Sequence, residues 1–282
     1  MKDQTLLYLT GLDIDEAGLK DVLNQAHGMN ARVAITVLAM LPSQPINAYG
    51  HMPYGGLGIA HDWVDRVQTS KKALKQAEDQ VEALLAEANV SGDVQTALGA
   101  LSDLQVAVAQ RAMASDLATI APSMRDGDED LFNTAAFGVL FHSPVGLVLN
   151  GDALTPPERI FVAWNSELPS ARAIHAALPM LATADEVIIG TIDPKSTEYK
   201  DGEDPGTEIA AWLSHRGCEV TVGHYPSGGA TVASAIAQHA KETGADIVVM
   251  GAFGRSRMRE LVFGGTTDSM LRQTEVPIFL AH

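Results

Sequence analysis

Cysteine is nearly absent from this chain. Cys218 is the single one in 282 residues, which excludes a framework of intrachain disulfides and indicates a reducing compartment. Long hydrophobic runs are absent too. No apolar stretch reaches the ~20 residues that span a bilayer, and the opening Met1-Lys2-Asp3-Gln4 lacks a signal-peptide pattern. The expectation is a soluble cytoplasmic protein. Basic charge is scarce: 19 Lys and Arg stand against 35 Asp and Glu, a formal net charge of -16. A field of that sign repels nucleic acid and anionic membrane, so neither is expected as a partner. A small anion is still admissible where local donors outweigh the field.

Patterns for metal or nucleophilic chemistry are missing as well. His51, His61, His215, His224 and His239 are scattered, and none forms a His-x-x-x-His pair. No serine sits in a G-x-S-x-G turn. Cys218, just before a strand-like run, reads as buried and inert.

What is present is a globular composition, 46% hydrophobic and 19% charged, long enough for two ordinary domains or one large one. Apolar runs and amphipathic stretches alternate. Strands are expected at Thr5 to Thr10, Ala31 to Met40, Val94 to Leu98, Leu117 to Ala121 and Val145 to Leu149. Helices are expected between them, from Asp15 to Ala26, Ile59 to Ala88, Asp103 to Ala114 and Phe132 to Phe141. Asn150 to Glu158 (NGDALTPPE) reads as a linker, and then the alternation restarts. Strands follow at Arg159 to Trp164, Glu186 to Ile192, Glu219 to Val222, Ile247 to Met250 and Ile278 to Ala281. Helices are expected at Ser170 to Ala182, Glu208 to Arg216 and Thr231 to Thr243, with Thr231 as an N-cap. Strands apolar on both faces, alternating with helices, point to parallel α/β sheets. The shared order of elements is read as a tandem repeat, 1–150 and 151–282, each half a doubly wound, Rossmann-like domain of five mainly parallel strands.

The most informative stretch is Asp246 to His282. An apolar run meets Gly251 and Gly254. A segment with Arg255, Arg257 and Arg259 follows, and Gly264-Gly265 leads through Thr266 and Thr267 into a helix-like stretch. Glycines let the backbone approach an anion closely, and the free N–H groups of a helix start favour negative charge. The plainer reading is that such glycines serve only tight turns and that the arginines lie on a solvated face.

This stretch resembles the nucleotide signature of the universal stress protein family, here in its tandem form, whose fold is of the adenine nucleotide alpha hydrolase type. The signature is Gly, two residues, Gly, nine residues, Gly, then Ser or Thr. Gly251, Gly254 and Gly264 keep that spacing, while Gly265 stands at the hydroxyl position and Thr266 comes one later. The resemblance implies phosphate contacts from Gly251, Gly254, Arg255, Gly264, Gly265 and Thr266. It places Asn165 and Ser166 at the ribose and the main chain of Ile192 and Asp193 at the base. Asn165 replaces the usual aspartate, so a ribose hydrogen bond there would lack charge assistance. Tyr49, Tyr54 and Tyr199, in two loop-like stretches, could stack on a base.

In the first half the corresponding stretch is APSMRDGDEDLFNTA, with Ala121 for Gly251 and about Met124 for Gly254. Asp126, Asp128, Glu129 and Asp130 stand where the second half has arginines, and carboxylates beside a triphosphate oppose binding. The resemblance implies a stress-response protein that binds ATP, AMP or another adenine nucleotide in its second half without a catalytic centre. Nothing in the sequence marks a magnesium site. It also implies edge pairing of Val145 to Leu149 with Ile278 to Ala281, and a homodimer beyond that. Two other readings stay open, a nucleotide-free scaffold and a weak ATPase.

Overall fold

The computed structural model describes residues 4–43, 61–194, 204–254 and 265–282. The first ten elements in chain order are β1 (Thr5–Thr10), α1 (Glu16–Met29), β2 (Arg32–Met40), α2 (His61–Ala88), β3 (Gly92–Gly99), α3 (Leu101–Ala112), β4 (Leu117–Ile120), α4 (Pro122–Gly127), α5 (Glu129–His142) and β5 (Gly146–Leu149). The second set has β6 (Arg159–Ala163), α6 (Leu168–Leu181), β7 (Glu186–Ile192), α7 (Thr207–Ser214), β8 (Val220–Tyr225), α8 (Val232–Glu242), β9 (Ile247–Gly251), α9 (Thr266–Arg272) and β10 (Ile278–Ala281).

Ten strands share one sheet in the order β3-β2-β1-β4-β5-β10-β9-β6-β7-β8. Each set of five repeats the same winding, and neighbours run parallel within it. The sets meet antiparallel at β5 and β10, with Ile278 opposite Leu149 and Leu280 opposite Leu147. The edge pairing expected from the sequence is therefore present, within the chain.

Strand periodicity builds the two faces. Along β1, Leu6 and Tyr8 join one buried cluster with α1, α2, α6 and α7, while Leu7 and Leu9 join the other with α3, α5, α8 and α9. In β6, Ile160 and Val162 face the first cluster and Phe161 the second. That alternation is what a pleated strand covered on both faces requires. Each cluster draws side chains from both sets, so the molecule has two continuous cores, one on each side of the sheet.

Helix starts follow local chemistry. The Asp15 carboxylate accepts from Gly18 N–H, Asp128 from Leu131 N–H, and Thr231 Oγ1 from Ser234 N–H at 3.2 Å. Asn30, at φ 54, closes α1 in the left-handed conformation.

At the junction, Gly146 has a packing reason. A Cβ there would lie 2.0 Å from Cζ of Phe279, whose ring is buried over the strand pair. Asn150 ties the sets together by donating to the carbonyls of Gln273 (2.8 Å) and Val276 (3.2 Å). Arg125 donates to Asn150 Oδ1 (2.7 Å) and to Gln273 O (3.2 Å).

Two elements differ from the sequence-based expectation. Helix α4 was not anticipated, because Pro122 reads as a breaker although it is well suited to a first helical turn. Strand β8, expected from Glu219 to Val222, runs on through Gly223 to Tyr225. Tyr49, Tyr54 and Tyr199 lie outside the described residues.

Candidate functional site

Strand β6 is flanked by β9 on one side and β7 on the other, so the winding of the second set reverses between β6 and β9. Ligands of doubly wound sheets sit at the carboxyl ends of strands at such a point. A cavity of about 320 Å³ opens there, near the lower end of the roughly 300–1,000 Å³ typical of small-molecule sites.

Its walls come from three strand ends and three helix starts. Ala163, Trp164, Ile192 and Met250 belong to or follow β6, β7 and β9, and Val232 and Ile236 are from the first turns of α8. They make one side apolar. Asn165, Glu167, Gly251, Gly254, Thr266 and Thr267 line the other side and supply its polar atoms.

The two glycines differ in what surrounds them. At Gly251 an added Cβ would lie 2.4 Å from the backbone of Pro169 and Ser170, so the strand end and the start of α6 touch backbone to backbone. At Gly254, among the described residues, the nearest atom to an added Cβ is Glu167 Oε2 at 3.5 Å, an ordinary contact distance. Gly251 is thus required by helix–strand packing, and Gly254 by no packing contact among the described residues.

Between them the chain is held firmly. Phe253 adopts φ 51, in the left-handed region that disfavours side chains. Its N–H donates to Thr267 Oγ1 at 2.9 Å, and Thr267 is buried. Ala252 N–H donates to Ala281 O at 2.8 Å. Thr267 was not singled out in the sequence. Its position two residues past the second glycine pair was the available signal.

The residues expected at the site are only partly brought together. Asn165, Ile192, Gly251, Gly254 and Thr266 all line the cavity. Asn165 Oδ1 accepts from Glu167 N–H at 3.1 Å, which shapes the turn into α6. Ser166 does not line it: at φ 59 its hydroxyl is buried without a hydrogen-bond partner. Asp193 does not line it either. Its carboxylate accepts from Ser227 N–H at 3.0 Å, pinning the glycine turn that leads into α8. Gly265 is the N-cap of α9, behind Thr266, and is not a lining residue. Arg255 and Gly264 lie outside the described residues.

Among the described residues, apolar side chains occupy the equivalent place in the first set. Gly11 follows β1 as Trp164 follows β6, and a Cβ there would meet Met124 (3.6 Å) and Leu131 (3.9 Å). Met124 is buried, and it is α4 that carries it in. Two of the four carboxylates expected to repel phosphate have other tasks: Asp128 caps α5, and Glu129 pairs with Arg272 at 2.8 Å.

Among the described residues no group of three or more His, Cys, Asp or Glu is placed to hold a metal. No helix among them is long and apolar enough to cross a membrane. Cys218 is buried, and burial pushes its thiol up, against a smaller opposing pull from Arg216.

Comparison with known proteins bears on the second set most directly. The sequence model of the universal stress protein family matches residues 157–282. A universal stress protein of Synechocystis sp. is 38% identical over 60 residues, which is 21% of this chain and 18% of that protein. Among solved structures, a universal stress protein from Archaeoglobus fulgidus superposes over 99% of this chain and 96% of its own, at 16% identity and a TM-score of 0.62. A functionally unknown protein from Pseudomonas aeruginosa does so over 99% and 92%, at 14% identity and a TM-score of 0.52. At such identities these two likenesses concern the fold alone, and they extend it over both sets.

Proposed function

Through residues 157–282 the chain belongs to the universal stress protein family, and from that premise we propose that its second set binds an adenine nucleotide, ATP in the first instance. The observation that carries this reading is the cavity at the reversal of strand order, apolar on one side and lined by Gly254 and Thr266 on the other. An adenine ring is flat and apolar-faced, which suits Trp164, Ile192 and Val232. The free space at Gly254 admits a phosphate group close to the backbone, where N–H groups can donate to it. A bound nucleotide would supply no chemistry to the chain. The residues here bind and orient it, and the reading includes no reaction of the protein's own. A role in the stress response and a cytoplasmic place follow from the same family premise.

Calorimetric titration of ATP into the full chain tests this. The expected result is saturable one-site binding, retained in Gly254→Ala and lost in Gly254→Asp. An aspartate there would place a second carboxylate beside Glu167, against the phosphates. Absence of binding by the wild type contradicts the proposal. ATP that stays intact over the same incubation agrees with binding alone, and steady release of phosphate opposes it.

A further inference from the structure

Between Gly251 and Gly254 the chain, tied by hydrogen bonds within its own set, also packs against residues of the other set. We infer that helix α5 of the first set holds the glycine segment of the second in its binding shape, so that a ligand site built on β6 and β9 is completed by both sets. This rests on the nucleotide reading above.

Phe253 is the contact. A phenylalanine at φ 51 is strained and persists only where its surroundings over-determine it. Its ring is buried edge-on against Phe137, with centroids 5.6 Å apart at 77°, and tilted against Phe141 at 4.8 Å. Phe137 and Phe141 lie one turn apart on α5 and touch each other at 5.5 Å. His282 closes the group: its ring meets Phe141 edge-on at 5.0 Å, and its Nδ1 is 2.7 Å from Ala252 O. The antiparallel pairing of β5 with β10 places the last turn of α5 beside the carboxyl ends of β9 and β10. Four rings therefore clamp a segment whose backbone has one free-standing glycine, Gly254, at its end.

The reciprocal contact is of a different kind. In the first set the segment after β4 is tied across the junction by Arg125, which donates to Gln273 O and lies over Phe132 at 4.8 Å. There the contact anchors α4, whose Met124 fills the site. One direction across the junction shapes an open cavity, and the other keeps a cavity closed. The first set is then a structural part of the second set's site.

The test uses the full chain with Phe137→Leu/Phe141→Leu, which keeps apolar bulk but removes the rings. Val139→Ala, buried elsewhere on α5, is the control for general loosening of the helix. Two quantities are read: amide hydrogen exchange at 251–254 without ligand, and the Kd for ATP. The double variant is expected to exchange faster than the control in that segment. Its Kd should rise about tenfold, the scale of two lost aromatic pairs, with Val139→Ala close to wild type. Segment exchange no faster than in the control overturns the inference, as does an unchanged Kd. If the wild type binds no ATP, the nucleotide reading fails, and the exchange comparison alone still decides whether α5 shapes the segment.

Discussion

At the scale of single residues, Gly251 and Gly254 have the same identity and different reasons for it. Gly251→Ala forces a methyl group onto the backbone of Pro169 and Ser170, and overpacking of that kind costs about 1–3 kcal/mol. Gly254→Ala meets nothing closer than 3.5 Å among the described residues and should leave stability unchanged. Urea denaturation of the two variants separates them, and equal midpoints would contradict this assignment. Tyr8 offers a second residue-level test. Burial, then the charge of Asp15, pushes its phenol up from 10.0 to about 12. Because the folded value is raised, the stability it contributes is complete below pH 10 and is lost as pH climbs towards 12. Ultraviolet titration should show Tyr8 ionising late among the five tyrosines, as should Tyr225, which burial also raises, and Tyr8→Phe should remove one tyrosine from that late step. An unchanged titration in Tyr8→Phe would contradict the burial argument.

At the scale of elements, the cap of α8 and the tie to α9 are the most exposed to test. Thr231→Ala removes the side-chain oxygen that accepts from Ser234 N–H and should cost about 1 kcal/mol, with Thr231→Ser close to wild type. Thr267→Val strands the buried N–H of Phe253, a loss of about 1–3 kcal/mol. It should also weaken nucleotide binding, because Phe253 sits between the two cavity glycines. Thermal melts and the same titration check both, and a Thr267→Val protein with unaltered melting would remove Thr267 from the account.

Most elements were legible in the sequence, since a strand such as TLLYLT or EVIIGTI is apolar on both faces and a covered parallel strand must be. Thr231 was legible as a cap for the same local reason. Helix α4 was not, because a proline read locally as a stop is a helix start once the chain after β4 packs Met124 inward. The site was legible in part. Spacing located Gly251, Gly254 and Thr266, but it could not tell a packing glycine from one that leaves open space. That difference is set by α6, more than 80 residues earlier in the chain. Nor could spacing show that Ser166 and Asp193 serve turns, or that the first set's site is closed by apolar filling as well as by charge.

At the scale of the whole molecule, the sheet is continuous through β5 and β10, and both cores contain side chains from both sets. Unfolding one set would expose the junction faces of the other. Scanning calorimetry should therefore show a single transition with equal calorimetric and van't Hoff enthalpies, and two resolved transitions would contradict that coupling. The same continuity makes the asymmetry of the sets meaningful. One keeps a cavity at its strand ends, the other fills that place with Met124 and Leu131, and an aromatic group from the filled set reaches the open one.

The central claim is that a nucleotide sits in the second set's cavity, and photolabelling addresses it most directly. The full chain is irradiated with azido-ATP, digested, and its labelled peptides mapped. The account predicts ATP-protectable label on peptides carrying Trp164, Ile192 or Val232, and none on those carrying Gly11 or Met124. Label confined to the first set, or label that excess ATP does not displace, would contradict it.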